Sequence, residues 1–142
     1  MTSVAIRPAT LSDLPTVFSF DHVAAQDHSR QEFIRHAITD KTCVVATLDE
    51  AVVGYAVLEY TFFECGFVSL LYVHSDHRRL KVGQGLLEYV EKVCRTSKLF
   101  TSTNLSNLPM QSLLARRGYV LSGIIHNLDE GDPEIVYFKR VR

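Results

Sequence analysis

Residues 4–7, Val4-Ala5-Ile6-Arg7, read as a short first strand. Leu11, Leu14, Val17 and Phe18 then fall at helical spacing and predict a helix to about Phe20. Thr10 or Ser12 caps it, Asp13 lies in its first turn, and Pro15 is tolerated because it sits near the start. Residues 21–28 form a polar loop, after which Ser29 caps a second helix to about Thr39 with Phe33, Ala37 and Ile38 as its apolar stripe. Three strand-like runs follow at 42–48, 51–62 and 66–74, the first two joined by a turn at Asp49-Glu50. A long helix over 83–98 carries Leu86, Leu87, Val90, Val93 and Cys94 at helical spacing, and 99–103 is a further strand. Pro109 opens another helix at its favoured first position and Gly118 ends it. Residues 119–125 and 134–141 close the chain as an antiparallel pair joined by the acidic segment 129–133. The order β-α-α-β-β-β-α-β-α-β-β predicts an α+β sheet sandwiched by helices, not a doubly wound repeat.

The 142 residues lack repeats, low-complexity tracts and Pro/Gly-rich linkers, so a single domain over 1–142 is expected. Hydrophobic residues make up 46% and charged residues 22%, a balance that argues against disorder. A net charge of -1 gives no reason to expect nucleic-acid binding. The apolar runs are broken by charges well short of a membrane span, and the N-terminus lacks the apolar stretch of a signal peptide. Cys43, Cys65 and Cys94 have neither metal-type nor redox-type spacing; they read as small core hydrophobes and reduced thiols, consistent with a cytoplasmic setting.

The chemistry concentrates in His77-Arg78-Arg79-Leu80-Lys81-Val82-Gly83-Gln84-Gly85-Leu86-Leu87. A strand, a basic glycine-containing loop and a helix start make an anion cradle, because unpaired backbone N–H groups and the positive end of the helix dipole point at one spot. Arg78 and Arg79 at its mouth suit a phosphate. The loop lacks both the Gly-x-x-x-x-Gly-Lys-Ser/Thr and the full Gly-x-Gly-x-x-Gly fingerprints, since Glu88 occupies the last glycine position. His74, Asp76 and His77 lack the remaining ligands of a metal site, and none is expected.

With these residues the chain resembles the GNAT N-acetyltransferase family along essentially its whole length. The family signature Arg/Gln-x-x-Gly-x-Gly/Ala is matched by Arg78-Arg79-Leu80-Lys81-Val82-Gly83. Downstream, Asn107-Leu108-Pro109-Met110-Gln111-Ser112-Leu113-Leu114-Ala115-Arg116-Arg117-Gly118-Tyr119 resembles the family's Asn-x-x-Ala-x-x-Leu-Tyr-x-Lys-x-Gly-Phe segment. The resemblance implies a mixed, mostly antiparallel sheet of about seven strands with helices on both faces. It implies acetyl-CoA as donor, its pantetheine arm paired with the backbone of Leu71, Tyr72 and Val73 like an added strand. Arg78, Arg79, Leu80, Lys81, Val82, Gly83, Gln84 and Gly85 would hold the pyrophosphate, and Asn107 would touch the pantetheine or shape the acceptor side. Two positions depart from the pattern. Lys81 stands where the first loop glycine usually sits, and fits only if its dihedrals avoid a glycine-only region, or at some strain. Leu114 replaces a tyrosine thought to protonate the leaving thiolate, and leucine donates no proton.

Acetylation of an amine needs the neutral amine, so its proton must be removed. Many family members place a carboxylate on the fourth strand; the matching residue here is Ser69, which would hold a relaying water, and Glu64 is the nearest acidic alternative. The backbone N–H of Tyr72 or Val73 is the expected oxyanion donor, and attack is expected to be direct, within a ternary complex. Acidic groups at Asp21 and Asp27, and at Asp129, Glu130, Asp132 and Glu134, would attract a cationic acceptor if they line a rim; the plainer reading is a solvated loop and a solvated turn. The expected partner is an unidentified amine of a small molecule or protein, with a homodimer as the family habit. The alternative function is a GNAT-like module that binds acyl-CoA without catalysis.

Overall fold

The computed structural model describes residues 4–78 and 81–142. Arg79 and Leu80 therefore lie outside the described residues. Seven strands form one sheet in the order β1-β2-β3-β4-β5-β7-β6, with β1 Val4–Pro8, β2 Cys43–Leu48, β3 Ala51–Phe62, β4 Cys65–Val73, β5 Lys98–Asn104, β6 Val120–Ile125 and β7 Glu134–Arg140. β1-β2, β2-β3, β5-β7 and β7-β6 pair antiparallel, whereas β4 and β5 pair parallel at Gly66↔Leu99, Phe67↔Phe100 and Val68↔Thr101. The helices are α1 Leu14–Phe20, α2 His28–Thr39, α3 Val82–Val93 and α4 Leu108–Arg116. The element order is the one that the hydrophobic pattern predicts.

The chain divides into two compact units, residues 1–58 with 70–90, and residues 59–69 with 91–142. In the first, successive residues of β3 show how the sheet is covered, because strand side chains alternate between faces. Tyr55 is fully buried in a cluster with Leu14, Val17 and Phe20 of α1 and Ile34, Ala37 and Ile38 of α2. A Cβ on its neighbour Gly54 would lie 3.0 Å from Val82 and 3.3 Å from Leu86, so α3 packs on the opposite face at a distance only glycine allows. In the second unit Leu99, Thr101 and Thr103 of β5 are buried, along with Leu114 of α4 and Tyr119.

Local chemistry corrects three expectations. Asp27, not Ser29, caps α2, its carboxylate accepting from Ser29 N and Arg30 N. That choice shifts the buried stripe to Ile34, Ala37 and Ile38 and leaves Phe33 37% exposed. α3 stops at Val93 rather than 98, and Cys94 beyond it is buried against Gly66, where an added Cβ would come within 2.5 Å of its sulfur. The start of the first predicted helix is a 3-10 turn over Leu11–Asp13, with α1 proper following from Leu14.

Candidate functional site

β4 delivers the chain into the basic loop through a 3-10 turn, Ser75–His77, capped by His74, whose Nδ1 accepts from Asp76 N at 3.1 Å. Arg78 folds back onto the strand it leaves. Its Nε donates to the Val73 carbonyl at 3.1 Å and its guanidinium lies 5.5 Å from the Tyr72 ring centroid. The strand end is thereby tied to the loop. Lys81 has φ +63°, in the left-handed region that favours glycine, so of the two options for this position the strained one holds. α3 then begins at Val82, and by helix geometry the N–H groups of Val82, Gly83 and Gln84 have no partner within the helix. The Gly85 N–H does not join them, because it donates to Lys81 O at 3.0 Å. Gly85 is there for packing: a Cβ would stand 3.2 Å from Val4 Cγ1 of β1.

Tyr72 sits inside a network that sequence reasoning did not find. Its ring lies 6.4 Å from that of Tyr55 and 6.2 Å from that of Phe20, with the Arg30 guanidinium 5.9 Å from its centroid. Arg30 in turn donates to Asp21 Oδ2 at 3.0 Å, and the Tyr55 hydroxyl donates to the same oxygen. Asp21 Oδ1 accepts from Val23 N and Ala24 N, both at 3.0 Å. With the Asp21 side chain at 0% exposure and four donors upon it, this carboxylate fixes the α1–α2 connection and is no part of an acidic rim. Burial, reinforced by the hydrogen bond to Asp21, pushes the Tyr55 phenol far above its ordinary range, so it stays a proton donor to the carboxylate.

In the second unit Ser69 is half-buried on β4, and its Oγ is buried without a hydrogen-bond partner among the described residues. Glu64 is exposed in the β3–β4 turn, where Phe63 and Glu64 both have positive φ. Five residue steps of extended chain, roughly 16 Å, separate it from Ser69, so the structure does not bring these two candidates together. Asn107 caps α4, its Oδ1 accepting from Met110 N at 3.2 Å. The acidic hairpin is engaged with β5 and the turn after it. Asp129 accepts from Asn104 Nδ2, Asp132 from both the N and Oγ of Ser106, and Glu134 from Ser102 Oγ. Among the described residues no group of three or more His, Cys, Asp or Glu could hold a metal ion, and no helix is long and apolar enough to cross a membrane.

Arg78 tied to the end of β4, left-handed backbone at Lys81 and N–H groups without an intrahelical partner at the start of α3 all lie in this stretch. A sequence model of the acetyltransferase (GNAT) family matches residues 8–119, which include it. The chain belongs to the GNAT acetyltransferase family. A GNAT-family acetyltransferase from Bacillus cereus ATCC 10987, known from its crystal structure, is 35% identical, with a TM-score of 0.90 and 97% of each chain covered. Naa50 of Arabidopsis thaliana, solved with the bisubstrate analogue CoA-Ac-MVNAL, shares the fold at a TM-score of 0.77 and 16% identity, over 96% of this chain and 98% of that one. Streptothricin acetyltransferase of Escherichia coli is 28% identical over 88 residues, which are 60% of this chain and 51% of that protein. The chain thus spans about half the length of this curated relative.

Within this GNAT chain, position 114 holds a leucine at 0% exposure, in the interior of its unit. Tyr119 is also buried, and its hydroxyl donates to Glu91 Oε2 at 2.9 Å. Burial and the Glu91 carboxylate raise its pKa far above the ordinary value. Glu91 also holds Arg117 at 2.7 Å and Lys139 at 3.0 Å, so Tyr119 is one member of a structural cluster.

Proposed function

We propose that this GNAT acetyltransferase takes acetyl-CoA as donor and transfers the acetyl group to a primary amine by direct attack in a ternary complex. The observation that carries the reading is the cradle itself. The N–H groups of Val82, Gly83 and Gln84 at the start of α3, beside Arg78 and Lys81, provide donors and positive charge for a pyrophosphate. Lys81 is exposed, so its ammonium can approach a phosphate from solvent. The backbone of Leu71, Tyr72 and Val73 would receive the pantetheine arm. The Val73 carbonyl already holds Arg78 Nε, which leaves the Tyr72 and Val73 N–H groups as the oxyanion candidates. Arg79 and Leu80 belong to the same proposal by sequence alone. Asn107 keeps its Nδ2 for the pantetheine or the acceptor, since its Oδ1 caps α4.

The reading extends to an acceptor amine carried by a small molecule or a protein, in keeping with the bisubstrate analogue CoA-Ac-MVNAL in the Naa50 complex and the streptothricin named for the Escherichia coli relative. An edge strand, β6, exposes Val120, Leu121, Ile124 and Ile125 without a charge among them, which supports pairing of two copies along that edge. The alternative, an acyl-CoA-binding module without catalysis, draws its support from the buried Leu114 and the absence of a carboxylate on β4. The test is release of CoA thiol from acetyl-CoA with a panel of primary amines. Steady amine-dependent release is expected; acetyl-CoA binding with no release for any amine establishes the non-catalytic alternative.

A further inference from the structure

We propose that Glu134 is the base of the transfer, taking the acceptor's proton through the hydroxyl of Ser102; the proposal rests on the acetyltransferase reading above. Phe100, Ser102 and Asn104 point to one face of β5, since alternate residues of a strand share a face. The rings of Phe67, Phe62, Phe100 and Phe138 pack together at 4.7, 5.2 and 5.3 Å from one to the next, which places Phe67 of β4 and Phe138 of β7 on that same face. Two residues beyond Phe67 and Phe100 come Ser69 and Ser102, one step past the end of the β4–β5 register at Val68↔Thr101. The opposite face of β5, with Leu99, Thr101 and Thr103, is buried in the core, so the aromatic and serine face is the one left for an acceptor.

On this face Ser102 Oγ donates to Glu134 Oε2 at 2.6 Å. An ionised carboxylate only accepts, so the hydroxyl hydrogen points at Glu134 and the oxygen's lone pairs remain open to a donor. Ser69 Oγ, buried without a partner among the described residues, is a second hydroxyl with unfilled capacity. Of the other carboxylates of this unit placed above, three have partners elsewhere and one stands in solvent. Glu91 holds Arg117, Lys139 and Tyr119, Asp129 holds Asn104, Asp132 holds Ser106, and Glu64 stands in an exposed turn. Glu134 is half-buried, with Ser102 as its hydrogen-bond partner.

The step balances without a further reactant. An N–H proton of the bound ammonium passes to Ser102 Oγ as the Ser102 proton passes to Glu134 Oε2. The nitrogen lone pair so freed forms the C–N bond to the acetyl carbon, the C–S bond breaks with its electron pair leaving on CoA, and the second N–H proton goes to that sulfur. Glu134 is neutral at the end and returns its proton to water. Ser102 is the residue that touches the amine, and Glu134 acts through it.

The experiment uses the full chain, acetyl-CoA and two acceptor types, a lysine ε-amine and a peptide α-amine, read by CoA thiol release. Glu134→Gln keeps the shape and the bond from Ser102 but cannot take the proton. Its kcat is expected to fall by about 100-fold or more, with melting temperature and acetyl-CoA affinity unchanged. The loss is expected to be larger for the ε-amine, whose pKa is near ~10.4, than for the α-amine near ~8, because the more basic amine depends more on deprotonation. Ser102→Ala should lose activity likewise and Ser102→Thr should regain most of it. Wild-type kcat in Glu134→Gln, or an equal loss for both amines together with a lowered melting temperature, overturns the assignment. Absence of turnover by the wild type with either amine, while acetyl-CoA binds, overturns the amine-transfer reading and this proposal with it.

Discussion

Two carboxylates of this protein, Asp21 and Glu134, sit on hydroxyl partners in the same way and serve different ends. Asp21 receives the Tyr55 hydroxyl, the Arg30 guanidinium and two backbone N–H groups, and is wholly buried. Glu134 receives the Ser102 hydroxyl and is half-buried. A carboxylate has about four acceptor sites. Where protein donors fill them all, a proton has nowhere to go and the group is a structural lock. Where sites stay open beside a half-buried hydroxyl, as at Ser102, the group can exchange protons. Glu91, with Arg117, Lys139 and Tyr119 on three of its sites, stands closer to Asp21 than to Glu134. A carboxylate's partners separate lock from base better than its presence in an acidic stretch of sequence.

The comparison breaks first at Asp21. Asp21→Ala leaves Arg30 and the Tyr55 hydroxyl without their acceptor and should destabilise the protein by about 3–5 kcal/mol, lowering its melting temperature by roughly 10 °C or more. A fall below 3 °C by calorimetry means the network is no lock. Glu91→Ala should cost less, about 2 kcal/mol, because Arg117 and Lys139 keep access to solvent at 25% and 24% side-chain exposure. Urea titration at constant m-value checks it. Lys81→Gly relieves the left-handed backbone and should stabilise by about 1 kcal/mol. If acetyl-CoA affinity falls in that variant, the lysine ammonium itself contacts the ligand.

The smallest effects concern titration. Asp13 is held below its ordinary value of 3.8 by its hydrogen bond from Arg7. A depressed folded pKa means the pair's stabilisation is full above pH 3.8 and is lost as pH falls through the lower folded value. Arg7 is 44% exposed, so the contribution is under about 1 kcal/mol. The melting-temperature gap between wild type and Asp13→Asn should be flat above about pH 5 and close in more acid solution; a gap that does not change with pH contradicts the pairing. Burial pushes the Cys43 thiol up to about 12, so iodoacetamide at pH 8 should spare Cys43 until the protein unfolds.

The fold was largely legible in the chain because strand and helix periods differ and the turns carry their own chemistry. Pro109 and Gly118 bracket α4 as expected, and Gly118 has the φ of +88° that suits a glycine terminator. The errors arose where two residues could do one job. Asp27 and Ser29 both suit a helix cap, and Phe33 and Ile34 both suit a stripe. In the cradle, glycine is ambiguous in the same way. Gly85 looks like an approach to phosphate, yet its N–H closes the first helical turn and its missing Cβ admits Val4. The Asp21–Tyr55 and Ser102–Glu134 bonds join residues 34 and 32 apart, and no local pattern marks such pairs. Packing of α1 on β3 brings the first pair together, and the pairing of β5 with β7 the second.

The most direct test is calorimetric titration of the wild type and the Arg78→Ala, Gly83→Asp double variant with acetyl-CoA, CoA and ATP, with melting curves to show that both fold. The prediction is dissociation constants on the order of micromolar for acetyl-CoA and CoA with the wild type, weaker binding of ATP, and loss of both CoA ligands in the folded double variant. Undiminished affinity in a folded double variant, or no binding of CoA by the wild type, would contradict a donor site built on the α3 cradle.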